Sequence, residues 1–471
     1  MVLSEDQITV SYPFIKSLTV INTNKPPHSH ATCASDLLNQ SNCRYGTDAK
    51  IMLQQQPNSR RPVTLDVDFV RTHFPAFREP SLAGWAFFEN AGGSYMCWQV
   101  INRLMTHYTQ TKVQPYYSYP ASAEAGNRMD ESYTRLSAYL NIDEQELIFG
   151  PSTSQNVYVL ARALRPMWQA GDEIIIACQN HEANSGAWRR LENEGILVKE
   201  WHVDQHTGQL STDDLDELIT RRTKLIAFPH ASNVVAHINP VREIADKAHE
   251  AGAIVVVDGV SYAPHGLPDI KSLNADIYLF SLYKTWGPHL GAMFVNHRLM
   301  KDIANQSHFY YEHEPHYCLT PAGPDHAQIA AVSGVADYLD AVYAHHFDDT
   351  PEGAVKGQRL ATLFSDYESQ LLTPLMTFLD THDNVFIIGP NDPSVRTSTV
   401  AIVPRNKPVQ AVVAELEEHK LMVASGDFDA VRLLNEMNIN RDHGVIRMSL
   451  LHYTTKNEVD RLISGLSAAL A

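Results

Sequence analysis

Short apolar runs recur through the middle of the chain, each closed by a small or polar residue. Leu147–Phe149, Asp172–Ile176, Lys224–Phe228, Ile254–Val257 and Ile277–Phe280 read as continuous runs rather than alternating ones, and several are rich in β-branched residues. A strand of that composition is buried on both faces. Stretches with helical periodicity lie between the runs. One passes through Val157 and Leu160, and another opens at Ser211-Thr212-Asp213-Asp214 with acids in its first turn. Upstream, Phe87-Phe88 reads as a short strand, and a helix follows from about Trp98. Alternation of strand and helix predicts an α/β fold whose mostly parallel sheet is covered on both faces.

From about Pro351 the pattern changes. A long helix is followed by strands over Val385–Gly389 and Thr399–Val403, another helix, and a strand over Leu421–Ala424. The run from Gly444 to Leu450 and an amphipathic helix from Lys456 close the chain. The expected organisation is therefore a large domain over residues 63–345 and a smaller α+β domain over 346–471. Residues 1–62 are rich in Asn, Ser, Gln, Pro and His, have weak periodicity, and read as a poorly ordered extension.

Composition narrows the functional classes. At 471 residues the chain can bury a large core. A formal net charge of −17 argues against nucleic acid or an anionic membrane surface as partner. No apolar run approaches the ~20 residues of a membrane span. Cys33, Cys43, Cys97, Cys178 and Cys318 are odd in number, widely spaced and form no CxxC. That pattern fits a reducing compartment and argues against a disulfide framework or structural zinc, so no metal site is expected. The first residues, MVLSEDQITV, lack a basic n-region, so the expectation is a cytoplasmic protein.

The chemistry gathers at strand ends. Asp258 closes the run that starts at Ile254, and Lys284 follows the run that ends at Phe280. In open α/β sheets ligands bind at that edge. Burial disfavours an ammonium, and a neutral lysine can condense with a carbonyl. A carboxylate beside it could keep a pyridine nitrogen protonated, and this pairing is what pyridoxal 5'-phosphate (PLP) needs. Gly150–Asn156 joins a strand to a helix through small hydroxyl residues, a local anion site in which Thr153 and Ser154 are the candidate donors. Arg447 lies in the apolar run Val445–Leu450, where a guanidinium needs a carboxylate partner. That partner is either an internal acid or a substrate.

The segment VDG, followed by FSLYKTWGPHLG, resembles the cofactor segment of the class V aminotransferase family, which includes cysteine desulfurases, selenocysteine lyases and kynureninases. The resemblance extends over about residues 64–471 and implies a fold type I PLP-dependent enzyme, with a seven-stranded large domain and a smaller C-terminal domain. It places covalently held PLP on Lys284, the pyridinium partner on Asp258, and the imidazole stacked on the ring on His181. It assigns the phosphate to Thr153, Ser154 and Ser281, with Asn233, Ser261 and Tyr283 also around the cofactor. Asn90, in the loop Asn90–Ser94, is expected beside the substrate, and Arg447 on its α-carboxylate through a bidentate pair. Tyr116, Tyr117 and Tyr119 are expected at the mouth. An amino-acid substrate and a homodimer are implied as well, with Ala322–Asp325 crossing to the neighbour although Gly323 replaces the usual threonine.

Several positions depart from the desulfurase pattern. The loop Ala424–Asp429 matches the one that carries the desulfurase cysteine, and Asp429 falls near the cysteine position. Persulfide formation needs a thiolate, so a desulfurase of the usual mechanism is not expected. Tyr283 replaces a histidine, Ser261 a glutamine, and Glu182 the residue after the stacking histidine. The segments HEA, SNVV, PHLG and HY-T resemble a fungal relative that decarboxylates the aspartate side chain and joins the product to an aldehyde. The leading expectation is a transaminase or lyase acting on an amino acid. The alternatives are that aldol-type carbon–carbon bond formation and desulfurase-like C–S or C–Se cleavage. Lys284, Asp258 and Arg447 together argue against a non-catalytic regulator.

Overall fold

In the computed structural model residues 63–471 are described, and the expected extension, residues 1–62, lies outside the described residues. The strands in chain order are β1 (Ala86–Phe87), β2 (Leu147–Gly150), β3 (Glu173–Ala177), β4 (Leu197–Trp201), β5 (Thr223–Pro229), β6 (Ile254–Asp258), β7 (Ile277–Ser281), β8 (Gly291–Val295), β9 (Val385–Ile388), β10 (Thr399–Pro404), β11 (Leu421–Met422), β12 (Ala424–Gly426) and β13 (Val445–Ser449). Seven of them form one sheet in the order β2-β8-β7-β6-β5-β3-β4. Only β8 runs antiparallel to its neighbours; the pairs from β7 to β4 are parallel. The protein is thus an α/β protein with a mostly parallel sheet.

Successive side chains on a strand point to opposite faces, and both faces of this sheet are covered. Ile175, Ala177, Ile226, Phe228, Val255, Val257, Tyr278 and Phe280 pack into one buried cluster. Their chain neighbours Ile174, Ile176, Leu225, Ala227, Val256, Ile277 and Leu279 pack into another. This double burial is why the strands lack polar alternation. The helix Thr153–Leu164 lies against β8, and Gly291 makes that possible: a Cβ there would fall 2.5 Å from the Thr153 amide nitrogen.

The C-terminal strands build a four-stranded antiparallel sheet in the order β12-β13-β10-β9. The sequence predicts one strand over Leu421–Ala424, whereas the structure divides it. Leu421–Met422 pairs in parallel with β1, and Ala424–Gly426 pairs with β13. That division sets the Asp427–Ala430 turn beside the sequence-predicted site. The final helix, Lys456–Ala469, is opened by a capping box between Thr455 and Glu458. No described helix is long and apolar enough to cross a membrane.

Candidate active site

The C-terminal ends of the parallel strands converge on a pocket of about 580 Å³, open mouth included. Asp258 is the last residue of β6, Ser281 the last of β7, and Lys284 lies in the turn just beyond. His181 follows β3 and Asn233 follows β5. Thr153 and Ser154 open the helix after β2. All seven line this pocket, together with Ser261 and Tyr283. The sheet topology has thereby collected residues scattered over more than a hundred positions onto one edge, as expected for doubly wound folds.

Lys284 is 8% exposed. Burial and the neighbouring Arg447 lower its pKa to about 8, against the opposing pull of Asp258 and Glu89. The amine therefore holds its proton weakly enough to act as a nucleophile or base near neutral pH. Burial raises the Asp258 carboxyl, opposed by the Val260 amide, His181 and Lys284. The Val260 N–H donates to Asp258 Oδ1 at 2.9 Å, leaving Oδ2 for a ligand. A buried carboxylate in this position is stabilised by a bound cation.

His181 Nδ1 accepts the Ala183 N–H at 3.0 Å, so the neutral ring carries its proton on Nε2. Nε2 lies 3.3 Å from Asp429 Oδ2. Burial lowers the His181 pKa. Asp429 and Phe428 both take left-handed backbone angles, φ 56° and 50°. Asn233 Nδ2 donates to Phe428 O at 2.8 Å, and the Glu182 amide donates to Asp429 O at 2.9 Å. These bonds hold the strained turn against Asn233, His181 and Glu182.

Thr153 Oγ1 and Ser281 Oγ are 2.8 Å apart in the buried wall. Ser152 Oγ caps the adjoining helix at Gln155, leaving the Thr153 and Ser154 amides as the open donors of its first turn. The residues fit PLP. Hydroxyls and first-turn amides suit a phosphate, and Asp258 suits a pyridinium. The buried Asn233 Oδ1 lacks a hydrogen-bond partner among the described residues and suits a polar ring substituent or substrate. Lys284 suits the aldehyde carbon.

Arg447 is the second point of interest. It is 3% exposed, and its Nη2 pairs with Glu89 Oε1 at 2.6 Å. Its guanidinium carbon lies 3.8 Å from the centre of the Phe428 ring. Nη1 donates to Asn233 O at 3.4 Å, while Nε and Glu89 Oε2 are buried without partners among the described residues. The carboxylate demanded by the Arg447 run is thus present inside the protein as Glu89, which sequence reasoning missed; neither Arg447 nor Glu89 is among the lining residues of the pocket. Glu89 lies 358 positions from Arg447, which leaves no local signal.

Asn90 is displaced from the expected role. Its Nδ2 donates to Ser449 O at 2.6 Å, and its Oδ1 accepts from the Tyr453 hydroxyl, so the amide is spent on tying the loop to β13. Asn90 does not line the pocket; Gly93 of the same loop lies against the Tyr283 ring instead. Tyr283 in turn stacks on His289, another lining residue absent from the sequence-based set. Tyr116, Tyr117 and Tyr119 are likewise not among the lining residues. None of the described cysteines, Cys97, Cys178 and Cys318, lines the pocket.

Comparison with known proteins agrees with this geometry. The family model described as aminotransferase class-V matches residues 86–314 and 361–462. The chain is 30% identical to "Aminotransferase-like protein FGM3" of Gibberella zeae, over 86% of this chain and 99% of that protein. It is 29% identical to "Cysteine desulfurase-like protein ustD" of Aspergillus flavus, over 85% of this chain and 90% of that protein. Among solved structures, a cysteine desulfurase from Thermococcus onnurineus superposes with TM-score 0.75 at 21% identity, covering 86% of this chain and 98% of that one. The chain belongs to the class V aminotransferase family. It is a PLP-dependent enzyme with the fold type I architecture.

Proposed function

We propose that the protein is an amino-acid lyase or transaminase that labilises the bond between the α-carbon and its hydrogen without a thiol nucleophile. The observation that carries this reading is Lys284, buried at the sheet edge with its pKa lowered to about 8. Bound PLP supplies an electron sink that stabilises negative charge at the α-carbon. Thr153, Ser154 and Ser281 hold the phosphate, and His181 covers the ring. Asp258 keeps the ring nitrogen protonated. Lys284 takes the α-proton on Nζ and returns it, help that is typically worth ~10²–10⁴ in rate. Arg447 orients the α-carboxylate, with Nε the donor left without a partner among the described residues, while Glu89 on Nη2 keeps the guanidinium in register. Where desulfurases place cysteine, this chain presents Asp429 against His181. A carboxylate there accepts hydrogen bonds and protons, but not sulfur. The active protein is a homodimer.

The test is a panel of α-amino acids incubated with holoenzyme in deuterated water and followed by proton NMR. At least one member should lose its α-hydrogen signal, and Lys284→Ala should abolish that exchange. No exchange for any amino acid in a panel that includes aspartate and larger side chains would overturn the reading.

A further inference from the structure

A second chemical cluster lies at the far edge of the large sheet, beside the turn just described. Cys178 directly follows β3, and its amide donates to Trp201 O at 2.8 Å. Glu200 and His202 flank Trp201, and alternation puts them on the same face of that edge. Glu436 is the last residue of the helix Val431–Glu436. One ligand atom from each of Cys178, Glu200, His202 and Glu436 lies within 4.8 Å of the other three. We propose that these four side chains form a binding site for a borderline-soft divalent cation of the zinc class.

The donor set carries the proposal. Thiolate, imidazole and carboxylate are zinc's protein ligands, and four in a tetrahedron is its usual protein site. Zinc–sulfur distances of about 2.3 Å and zinc–nitrogen distances of about 2.0 Å put ligand atoms roughly 3.3–3.7 Å apart. The present spacings bracket that range: 2.6 Å from His202 Nδ1 to Glu436 Oε1, and 4.0 Å from Cys178 Sγ to His202 Nδ1. Small side-chain shifts would open the His202–Glu436 contact around an ion.

Outer contacts already aim two of the ligands. The Val203 amide holds Glu436 Oε2 at 2.9 Å, leaving Oε1 at the cluster. Arg189 Nη1 holds Glu200 Oε1 at 2.6 Å. Partners of this kind orient metal ligands. Charge also balances: a dication with Arg189 neutralises Glu200, Glu436 and a Cys178 thiolate, while Arg432 pairs with Glu182 at 2.5 Å. On binding, the Cys178 thiol proton passes to solvent as the sulfur–metal bond forms. His202 is largely exposed and provides the entry side, whereas Cys178 is buried. Glu200 and His202 are near neighbours in sequence, but Cys178 and Glu436 are distant and the set holds a single cysteine, which is why cysteine spacing alone argues against a zinc site.

The experiment is titration of chelator-stripped holoenzyme with Co²⁺ alone, recorded as difference spectra, followed by displacement with Zn²⁺. The expected result is one Co²⁺ per chain with a near-ultraviolet thiolate-to-cobalt charge-transfer band that Zn²⁺ removes. Cys178→Ser should lose the band, and His202→Gln should weaken Co²⁺ binding at least ~10-fold, with the PLP absorbance retained in both. Because His202 is exposed, its variant carries the test even if the serine variant does not fold. Absence of the band in wild type, its persistence in Cys178→Ser, or unchanged affinity in His202→Gln would overturn the site.

Discussion

Arg447 Nη2 and Glu89 Oε1 meet at 2.6 Å behind the pocket residue Asn233, so the arginine proposed to bind substrate already holds a carboxylate of the protein. Of the two roles for Arg447 that the sequence alone sets in competition, the internal ion pair is present, and the proposed substrate carboxylate would have to share the guanidinium with Glu89. Truncating Arg447 to Ala removes a charged hydrogen bond worth about 1.5–3 kcal/mol. KM for the reactive amino acid should rise roughly 10–150-fold. Glu89→Gln removes an anion that competes for the same cation, and should tighten binding of simple carboxylate inhibitors. Weaker carboxylate binding in Glu89→Gln would instead make Glu89 a support that Arg447 cannot do without.

Incorporation of PLP into the apoprotein should depend on the Lys284 proton. The neutral amine attacks, so the rate should climb with pH and level off above about 8. Arg447 pushes that pKa down and Asp258 pushes it up. Arg447→Gln should therefore move the midpoint to higher pH, and Asp258→Asn to lower pH. Stopped-flow absorbance on apoprotein reads all three, and an unmoved midpoint in both variants would disprove the electrostatic coupling.

The same shift has a consequence for stability. The folded value, about 8, lies below the ordinary 10.5, so between these limits the unfolded chain binds more protons than the folded one. The apoprotein should gain stability from Lys284 as pH rises through that window. Below about 8 both states are protonated and this gain is absent. Comparing the pH dependence of denaturant midpoints for wild type and Lys284→Met isolates the contribution; identical slopes would count against it.

Cysteine should not be an efficient sulfide donor. The described cysteines lie outside the pocket, and Asp429 faces His181 at 3.3 Å. Wild type incubated with cysteine and a reductant should release sulfide only slowly. Rapid release that survives Asp429→Ala would show that another group takes the sulfur.

Light scattering should give a mass of twice 52.8 kDa for the holoenzyme. The segment 305–324 leaves Phe309 and Tyr310 80% and 60% exposed, surface that a second subunit would cover. A monomeric mass at micromolar concentration would refute the dimer.

Most of the large sheet was legible because burial on both faces leaves continuous apolar runs, and β2, β3, β5, β6 and β7 fall where those runs lie. β4 escaped because it is an edge strand, and the charged Lys199 and Glu200, paired there with Glu173 and Arg189, break its apolar run. β8 escaped because it follows Lys284 through a tight turn with Gly291 at its start. Lys284 and Asp258 could be read from their places after strands, since strand ends share an edge; Thr153 rested on a strand–loop–helix pattern together with the family resemblance, and His181 on the resemblance alone. Pairings across the fold could not. Glu89 with Arg447 and Asn90 with Tyr453 join positions hundreds of residues apart, and Phe428 reaches the same guanidinium from a different turn. Asn90 illustrates the limit well: its segment matched, but the structure spends its amide on holding the loop to β13.

The central claim is that Lys284 carries the cofactor, and borohydride reduction followed by peptide mass spectrometry tests it most directly. The reduced holoenzyme should yield one peptide bearing a pyridoxyl phosphate group, with the label on Lys284, and Lys284→Ala should yield none. A label on a different lysine, or no label on wild type reconstituted with PLP, would contradict the account.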